Sequence, residues 1–325
     1  MVMNVTASRA VLVRAMADGH FHSGSDLARL IGVSRAAIHN HIKALSDLGI
    51  EIFRVRGKGY RLAAPLSLYD AERLTPRAAP IHLHWQIGST NDVLLQRRME
   101  CKNGEVCIAE WQTAGRGRRG RSWFSPLASQ LCFSYFYRLE QGMAAASGLS
   151  LVIGIILAEA LERCQFTGIQ VKWPNDLYYQ QRKLGGILIE VQGQMGEPAE
   201  LVIGCGINVS LPYLNEIDQP WADLQEQSTQ LIDRNTLLSI ILSALDAGLE
   251  QFRRFGFEPF ESRWQQRDAF AHQPIRLVMG ERCIDGIARG IDRQGNLLIE
   301  REGMVKAFAA GEVSLRLRKD NMAED

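Results

Sequence analysis

Gly115-Arg116-Gly117-Arg118-Arg119-Gly120-Arg121 interleaves three glycines with four arginines. Neither a helix nor a strand interior favours such a run, because glycine costs backbone order in both and adjacent guanidiniums repel until an anion arrives. It reads as a mobile loop able to wrap something negative, and no Asp or Glu occurs between Trp111 and Leu139. Gly115, Gly117 and Gly120 also spell G-x-G-x-x-G, but the dinucleotide fingerprint needs a helix opening at its glycines. Here arginines fill the intervening positions, Pro126 follows, and Gln130 to Arg138 reads as an aromatic-rich strand. A Rossmann fold is therefore excluded, and no Walker sequence is present. What remains is an anion cradle of glycine N–H groups and guanidinium forks, or a disordered basic segment touching nucleic acid. Its position after the strand Glu105 to Gln112 and before Trp123-Phe124 favours a lid over a small ligand.

The 325 residues leave room for two or three domains, and 46% hydrophobic with 22% charged residues is ordinary for a globular protein. Six cysteines form no C-x-x-C pair and lie in apolar surroundings, so buried free thiols in a reducing compartment are expected. No charged-then-apolar leader opens the sequence, and the longest apolar run, Leu149 to Ala160, is well short of the ~20 residues a bilayer needs. A cytoplasmic protein without a membrane partner is expected. The net charge of +1 hides an asymmetry: residues 1–62 hold nine Lys/Arg against four Asp/Glu, and the remainder 28 against 32. A basic N-terminal module on a mildly acidic body points that module at nucleic acid.

Three short helices are predicted in the first fifty residues, capped by Ser8, Ser25 and Ser34 and closed in the first two cases by Gly19 and Gly32. On the third, Ala37, Ile38, Ile42 and Leu45 form an apolar stripe. Its other face carries Arg35, Ala36, His39, Asn40 and Lys43, a set able to enter a major groove. Ile50 to Val55 and Tyr60 to Leu62 then read as a hairpin with Arg56 and Lys58 at its tip. Helix–turn–helix followed by a cationic hairpin is a winged helix; the alternative is a plain helical bundle with a solvated face. Residues two apart on a helix point to different faces, so His39 and His41 cannot chelate together, and no third ligand stands near His82 and His84.

After Pro65 the chain alternates α and β: a strand at Ile81–Gln86, a short helix opened by Ser89-Thr90-Asn91, the strand leading to the Gly/Arg loop, and an apolar helix at Leu149–Arg163. Lys172-Trp-Pro-Asn-Asp176, Lys183-Leu-Gly-Gly-Ile-Leu-Ile-Glu190 and a buried strand at Leu201–Val209 follow. With Ser89-Thr90-Asn91 and the Gly115–Arg121 loop, these segments resemble the biotin–protein ligase family. With a winged helix in front, the resemblance is to its bifunctional bacterial ligase and biotin operon repressor members, and it covers essentially the whole chain.

That resemblance implies an α+β multidomain chain. It comprises a winged helix-turn-helix DNA-binding domain (1–65), a central mixed-sheet α/β biotin ligase domain (66–271) and a C-terminal SH3-like β-barrel (272–325). It implies that biotin and ATP, with Mg²⁺, give biotinyl-5′-AMP, from which biotin passes to a lysine of the biotin carboxyl carrier protein of acetyl-CoA carboxylase. A carboxylate must meet a polyphosphate, so fixed cations are the chemical requirement. Lys183, Arg118 and Arg116 are the catalytic candidates. Ser89, Thr90, Asn91, Gln112, Arg116, Gly117, Arg118, Lys183, Gly186, Leu188, Gly204 and Gly206 are the candidates for biotin. Gly115, Arg116, Gly117, Arg118, Arg121, Trp123, Lys172, Asn175, Asp176, Lys183 and Asn208 are those for ATP and the adenylate, with Trp123 and Trp221 candidates to flank adenine and Asp176 to hold Mg²⁺. Ser34, Arg35, Ala36, His39, Asn40, Lys43, Arg56 and Lys58 are the DNA-binding candidates. Cys205, in a Gly-Cys-Gly turn, is read as packing.

From Ile275 short strands alternate with turns, consistent with a small barrel. The resemblance further implies that the adenylate-bound form acts as a corepressed homodimer on a palindromic operator; ordering of the Gly/Arg loop on the adenylate is expected to be the event that favours the dimer. Two other functions stay open at this point: a ligand-sensing transcription factor without catalysis, and a lipoate-type acyl ligase.

Overall fold

The computed structural model describes residues 5–194, 197–212, 219–310 and 313–317; the two ends assigned above to the first and third domains, 1–4 and 318–325, lie outside them. Helices α1 (Val5–Met16), α2 (Gly24–Ile31) and α3 (Arg35–Ser46) precede an antiparallel hairpin of β1 (Ile52–Val55) and β2 (Gly59–Leu62). Leu12, Met16, Leu27, Ile38, Ile42, Leu45, Tyr60 and Leu62 close one small core, which is the winged helix the sequence predicts. Two caps differ from expectation. Ser8 lies buried inside α1, and the cap of α2 is Ser23, whose side chain accepts from the Asp26 N–H. A helix can start earlier than its first good cap when fraying costs little. Ser34 does cap α3, accepting from the Ala37 N–H at 3.2 Å.

The central domain is one seven-stranded mixed sheet. Its strands are β3 (Ile81–Ile87), β4 (Val106–Gln112), β5 (Gln130–Leu139), β6 (Ile169–Lys172), β7 (Asp176–Tyr179), β8 (Arg182–Gln192) and β9 (Ala199–Asn208), in the order β3-β4-β5-β9-β8-β7-β6. Only β3 and β4 pair in parallel. Helix α4 (Thr90–Arg97) joins them and covers one face through Leu94, against Cys107, Phe136 and Val202. The other face carries α5 (Leu149–Arg163), which is apolar almost all round because it is enclosed by the sheet, α6 (Arg234–Phe255) and α7 (Glu258–Gln265). Gly154 on α5 is required by packing: a Cβ there would stand 3.0 Å from Val171.

Strands β10 (Pro274–Met279), β11 (Arg282–Ile291), β12 (Leu297–Arg301), β13 (Met304–Phe308) and β14 (Val313–Leu317) form a second sheet, five-stranded and antiparallel. Its Ile275, Leu277, Ala288, Leu297 and Leu315 belong to the same hydrophobic core as α5 and α6. Trp173 Nε1 donates to the Gly295 carbonyl at 3.1 Å. The C-terminal sheet is thus built into the wall of the central domain.

Burial of the thiols differs from expectation. Cys107, Cys132 and Cys205 are buried, but Cys101 and Cys164 are half-buried and Cys283 is exposed, because β11 is covered on one face only.

Candidate active site

One cavity of about 770 Å³ opens between the Gly/Arg loop, the ends of β4, β8 and β9, and β14 of the C-terminal sheet. It gathers nearly all the candidate ligand residues although they span 89–206 in sequence. Its wall carries Arg116, Arg118, Arg119, Arg121, Lys172, Lys183 and Arg316, while Asp176 is the one carboxylate among the described residues of that wall.

The Gly/Arg loop leaves β4 and returns to β5, as a lid and not as a helix. Gly117 N–H donates to the Arg121 carbonyl at 2.8 Å and Trp123 N–H to the Gly115 carbonyl at 2.8 Å. Arg119 and Gly120 make the reversal with φ of 59° and 69°, the left-handed region that glycine enters freely and arginine does not. Gly115 stands at the lid's stem outside the cavity wall, where a Cβ would meet the Trp123 carbonyl at 2.5 Å. The close approach of the Trp123 carbonyl leaves no room for a side chain at this position.

At one end lie Ser89, Thr90, Asn91 and Gln112. Gln112 Oε1 accepts from Thr90 N at 2.8 Å and from Thr90 Oγ1 at 3.1 Å. The Ser134 hydroxyl, at the foot of the cavity, lies 2.7 Å from Thr90 Oγ1 and 2.5 Å from Asn91 Oδ1. Asn91 Nδ2 donates to Glu190 at 2.7 Å and lies 3.4 Å from the Leu188 carbonyl. The Asn91 amide is thus tied to Ser134, Glu190 and the Leu188 carbonyl while the residue lines the cavity. Ser89 opens α4 without a side-chain cap hydrogen bond and lines the cavity. Sequence reading assigned no role to Ser134, which lies in no quoted motif, or to Glu190, which closes the Lys183–Glu190 motif but whose partners are far away in the chain.

The other end is cationic. Lys183 Nζ pairs with Asp176 at 3.0 Å and lies 5.6 Å from the Trp123 ring centroid. Arg118 donates to Asn175 Oδ1 at 3.1 Å, and burial holds its guanidinium below the usual value. Lys172 donates to Tyr178 Oη at 2.9 Å and sits over the Tyr178 and Phe270 rings. Burial there pulls its ammonium down to about 8 despite Asp176. Arg116 corrects an expectation. Its guanidinium does not face the other cations but pairs with Asp92 and, at 3.0 Å, with Glu190, because those carboxylates lie on the Ser89–Asn91 side. Asn208 is likewise behind the wall, donating to the Ala222 carbonyl at 2.9 Å. Trp221 lies outside the wall too, although its neighbours Gln219 and Pro220 line it.

The glycines at the floor are steric. A Cβ on Gly204 would stand 2.2 Å from Asn91 Oδ1, and one on Gly206 2.5 Å from the Trp123 ring. A Cβ at Gly206 would displace the Trp123 ring that lines the cavity, so Gly206→Ala should raise the KM for the cavity's ligand more than tenfold with little loss of thermal stability; steady-state kinetics with a melting curve checks this. Cys205 between them is buried, its thiol pushed far up by burial, as befits packing.

At the winged helix, Ser34, Arg35, Ala36, His39, Asn40 and Lys43 are exposed together on α3, as are Arg56 and Lys58 at the hairpin tip. Lys58 Nζ lies over the Phe21 ring at 5.8 Å.

Three family models match in the same order as these units: a helix-turn-helix domain at residues 8–61, the biotin/lipoate A/B protein ligase family at 84–208, and the biotin protein ligase C-terminal domain at 273–316. The bifunctional ligase/repressor BirA of Escherichia coli is 48% identical over 94% of this chain and 96% of its own. This chain belongs to the biotin protein ligase family. The corresponding protein of Bacillus subtilis is 29% identical over 91% of this chain and 94% of its own. Among solved structures, the biotin protein ligase of Aquifex aeolicus in complex with biotin and ATP superposes with a TM-score of 0.65 at 29% identity, covering 73% of this chain and 99% of that one. The chain is a biotin ligase that also carries a DNA-binding repressor module.

Proposed function

We propose that the cavity takes biotin and ATP side by side, with the ureido head of biotin among Ser89, Thr90 and Gln112 and the polyphosphate among Lys183, Arg118, Arg121, Lys172 and Arg316. One observation carries the reading: apart from Arg116, which pairs with Asp92 and Glu190, six cations share one wall with a single carboxylate, an environment that costs dearly unless anions enter it. A biotin carboxylate oxygen attacks the α-phosphorus, the bond to pyrophosphate breaks, and biotinyl-5′-AMP remains. Lys183, a compact charge on a strand, is placed to bridge the two anions; Asp176 orients it until substrate replaces that partner. The amine of the acceptor lysine on the biotin carboxyl carrier protein then attacks the acyl carbon. AMP leaves with the C–O electron pair and a proton is released. Gly117, Gly186, Leu188 and Gly204 give biotin's apolar body its close approach, and Trp123 flanks the adenine. Mg²⁺ is held by one or two carboxylates and substrate phosphates in such sites. Asp176 with Asn175 would hold it here, neutralising charge on the phosphates.

The C-terminal sheet is read as an SH3-like barrel that closes the ATP side through Ser314, Leu315 and Arg316. A division at 65/66 is supported by the change of hydrophobic core, and one at 271/272 by the change of sheet alone, since the core is shared there. The exposed face of α3 and the cationic hairpin tip support operator DNA as the second partner. The adenylate-bound homodimer is the proposed repressing form, in a reducing cytoplasm suited to six free cysteines.

Incubation with ATP, an acceptor domain, and biotin or lipoate, followed by mass spectrometry of the acceptor and sedimentation of the mixture, tests this. A mass increase with biotin only, and dimerisation only with the adenylate, is expected. A gain with lipoate, or none with either, overturns the ligase reading; equal association with and without the adenylate overturns the corepressor reading.

A further inference from the structure

The geometry points to Asp92 and Glu190 as positioning residues that latch the lid through Arg116 and set how long the adenylate stays bound. The lid spans the cavity with a side-chain anchor on each bank. On one side Arg118 reaches Asn175 in the turn between β6 and β7. On the other, Arg116 Nη2 meets Asp92 from the first turn of α4 and Glu190 from β8, the latter at 3.0 Å. These two carboxylates belong to different elements, so one guanidinium ties the lid to a helix and to the sheet at once. The planar fork suits such a double engagement better than an ammonium would.

Glu190 serves twice, because it also fixes the Asn91 amide at 2.7 Å. Asp92 has no such second duty among the described residues. Arg116 thus spends its charge on closing the cavity and not on phosphate, which explains why a cation in the lid faces away from the other six. A latch of partly exposed ion pairs is strong enough to slow opening and weak enough to release product. Keeping a mixed anhydride away from water until an acceptor arrives is what such a closure achieves.

This rests on the assignment of the cavity to biotin and its adenylate. The probe is biotinyl-5′-AMP formed on the full chain from biotin and ATP, with its dissociation followed after dilution into excess unlabelled biotin. We expect Asp92→Asn to speed dissociation about fivefold and to raise the KM for biotin, while single-turnover adenylate formation at saturating substrate changes less than about twofold. Raising salt from about 0.05 to about 0.5 M should speed dissociation in the wild type and have a smaller effect in Asp92→Asn, which keeps only the Arg116–Glu190 pair. Glu190→Gln should act in the same direction, and Asp92→Asn should add nothing in an Arg116→Ala background. Equal lifetimes in wild type and Asp92→Asn, a salt-independent wild type, or additive effects in the double variant would each overturn the latch. Failure of the wild type to retain any adenylate would overturn the cavity assignment instead.

Discussion

Lys183→Ala should abolish adenylate formation while leaving the winged helix folded. Lys183 Nζ projects from β8 into the cavity beside Gly186, ion-paired with Asp176 at 3.0 Å. Removing a preorganised charge aimed at developing negative charge typically costs about 10²–10³ in rate, or about 3–4 kcal/mol. The same truncation costs little in packing, because the side chain lines a cavity. Pyrophosphate release should therefore fall by at least about a hundredfold, with an unchanged melting temperature and unchanged circular dichroism. Lys183→Arg keeps the charge but not the point geometry, and should recover only part of the rate. Undiminished pyrophosphate release in Lys183→Ala would refute the role.

Arg234→Met should be the most destabilising single change in the central domain. Arg234 and Glu110 are both almost wholly buried and form an ion pair. The guanidinium also donates to the Ser67 carbonyl at 2.6 Å and the Gln130 carbonyl at 2.8 Å, and stacks 4.1 Å from the Tyr69 ring centroid. It therefore ties the segment leaving the winged helix to the sheet that carries the cavity. Removing one partner strands a buried carboxylate, at a cost of about 3–5 kcal/mol. At about 2–4 °C per kcal/mol, the melting transition should drop by roughly 6–20 °C. Adding Glu110→Gln should restore part of the loss, since the stranded charge and not the missing attraction makes most of the penalty. A drop below about 2 °C for Arg234→Met, or a double variant worse than the single, would contradict this account.

Local pattern made the winged helix and most central strands legible. The stripe Ile38, Ile42, Leu45 and the cap at Ser34 require only neighbours in sequence, and the hairpin declares itself by alternation and a glycine turn. The run of arginines and glycines likewise declared a loop for anions. What local pattern could not declare was direction. Arg116 and Arg118 look interchangeable in sequence, yet the lid's reversal at Arg119 and Gly120 sends one to Asn175 and the other to Asp92 and Glu190. Nor could local pattern declare that the Asn91 amide is held by Ser134 and Glu190, 43 and 99 residues away. Caps failed at Ser8 and Ser25 for a related reason, since a serine marks a helix start only when its own backbone is extended.

The sequence by itself determined the order of three modules, the nature of the ligand-facing groups and the family to which the chain belongs, because these rest on local periodicity and short motifs. Only the tertiary structure decided which cations share the cavity wall and which polar groups pair with one another. Those roles depend on pairings across the sheet that join residues far apart in the chain, and a buried amide or guanidinium takes whichever partner the fold brings within hydrogen-bonding reach.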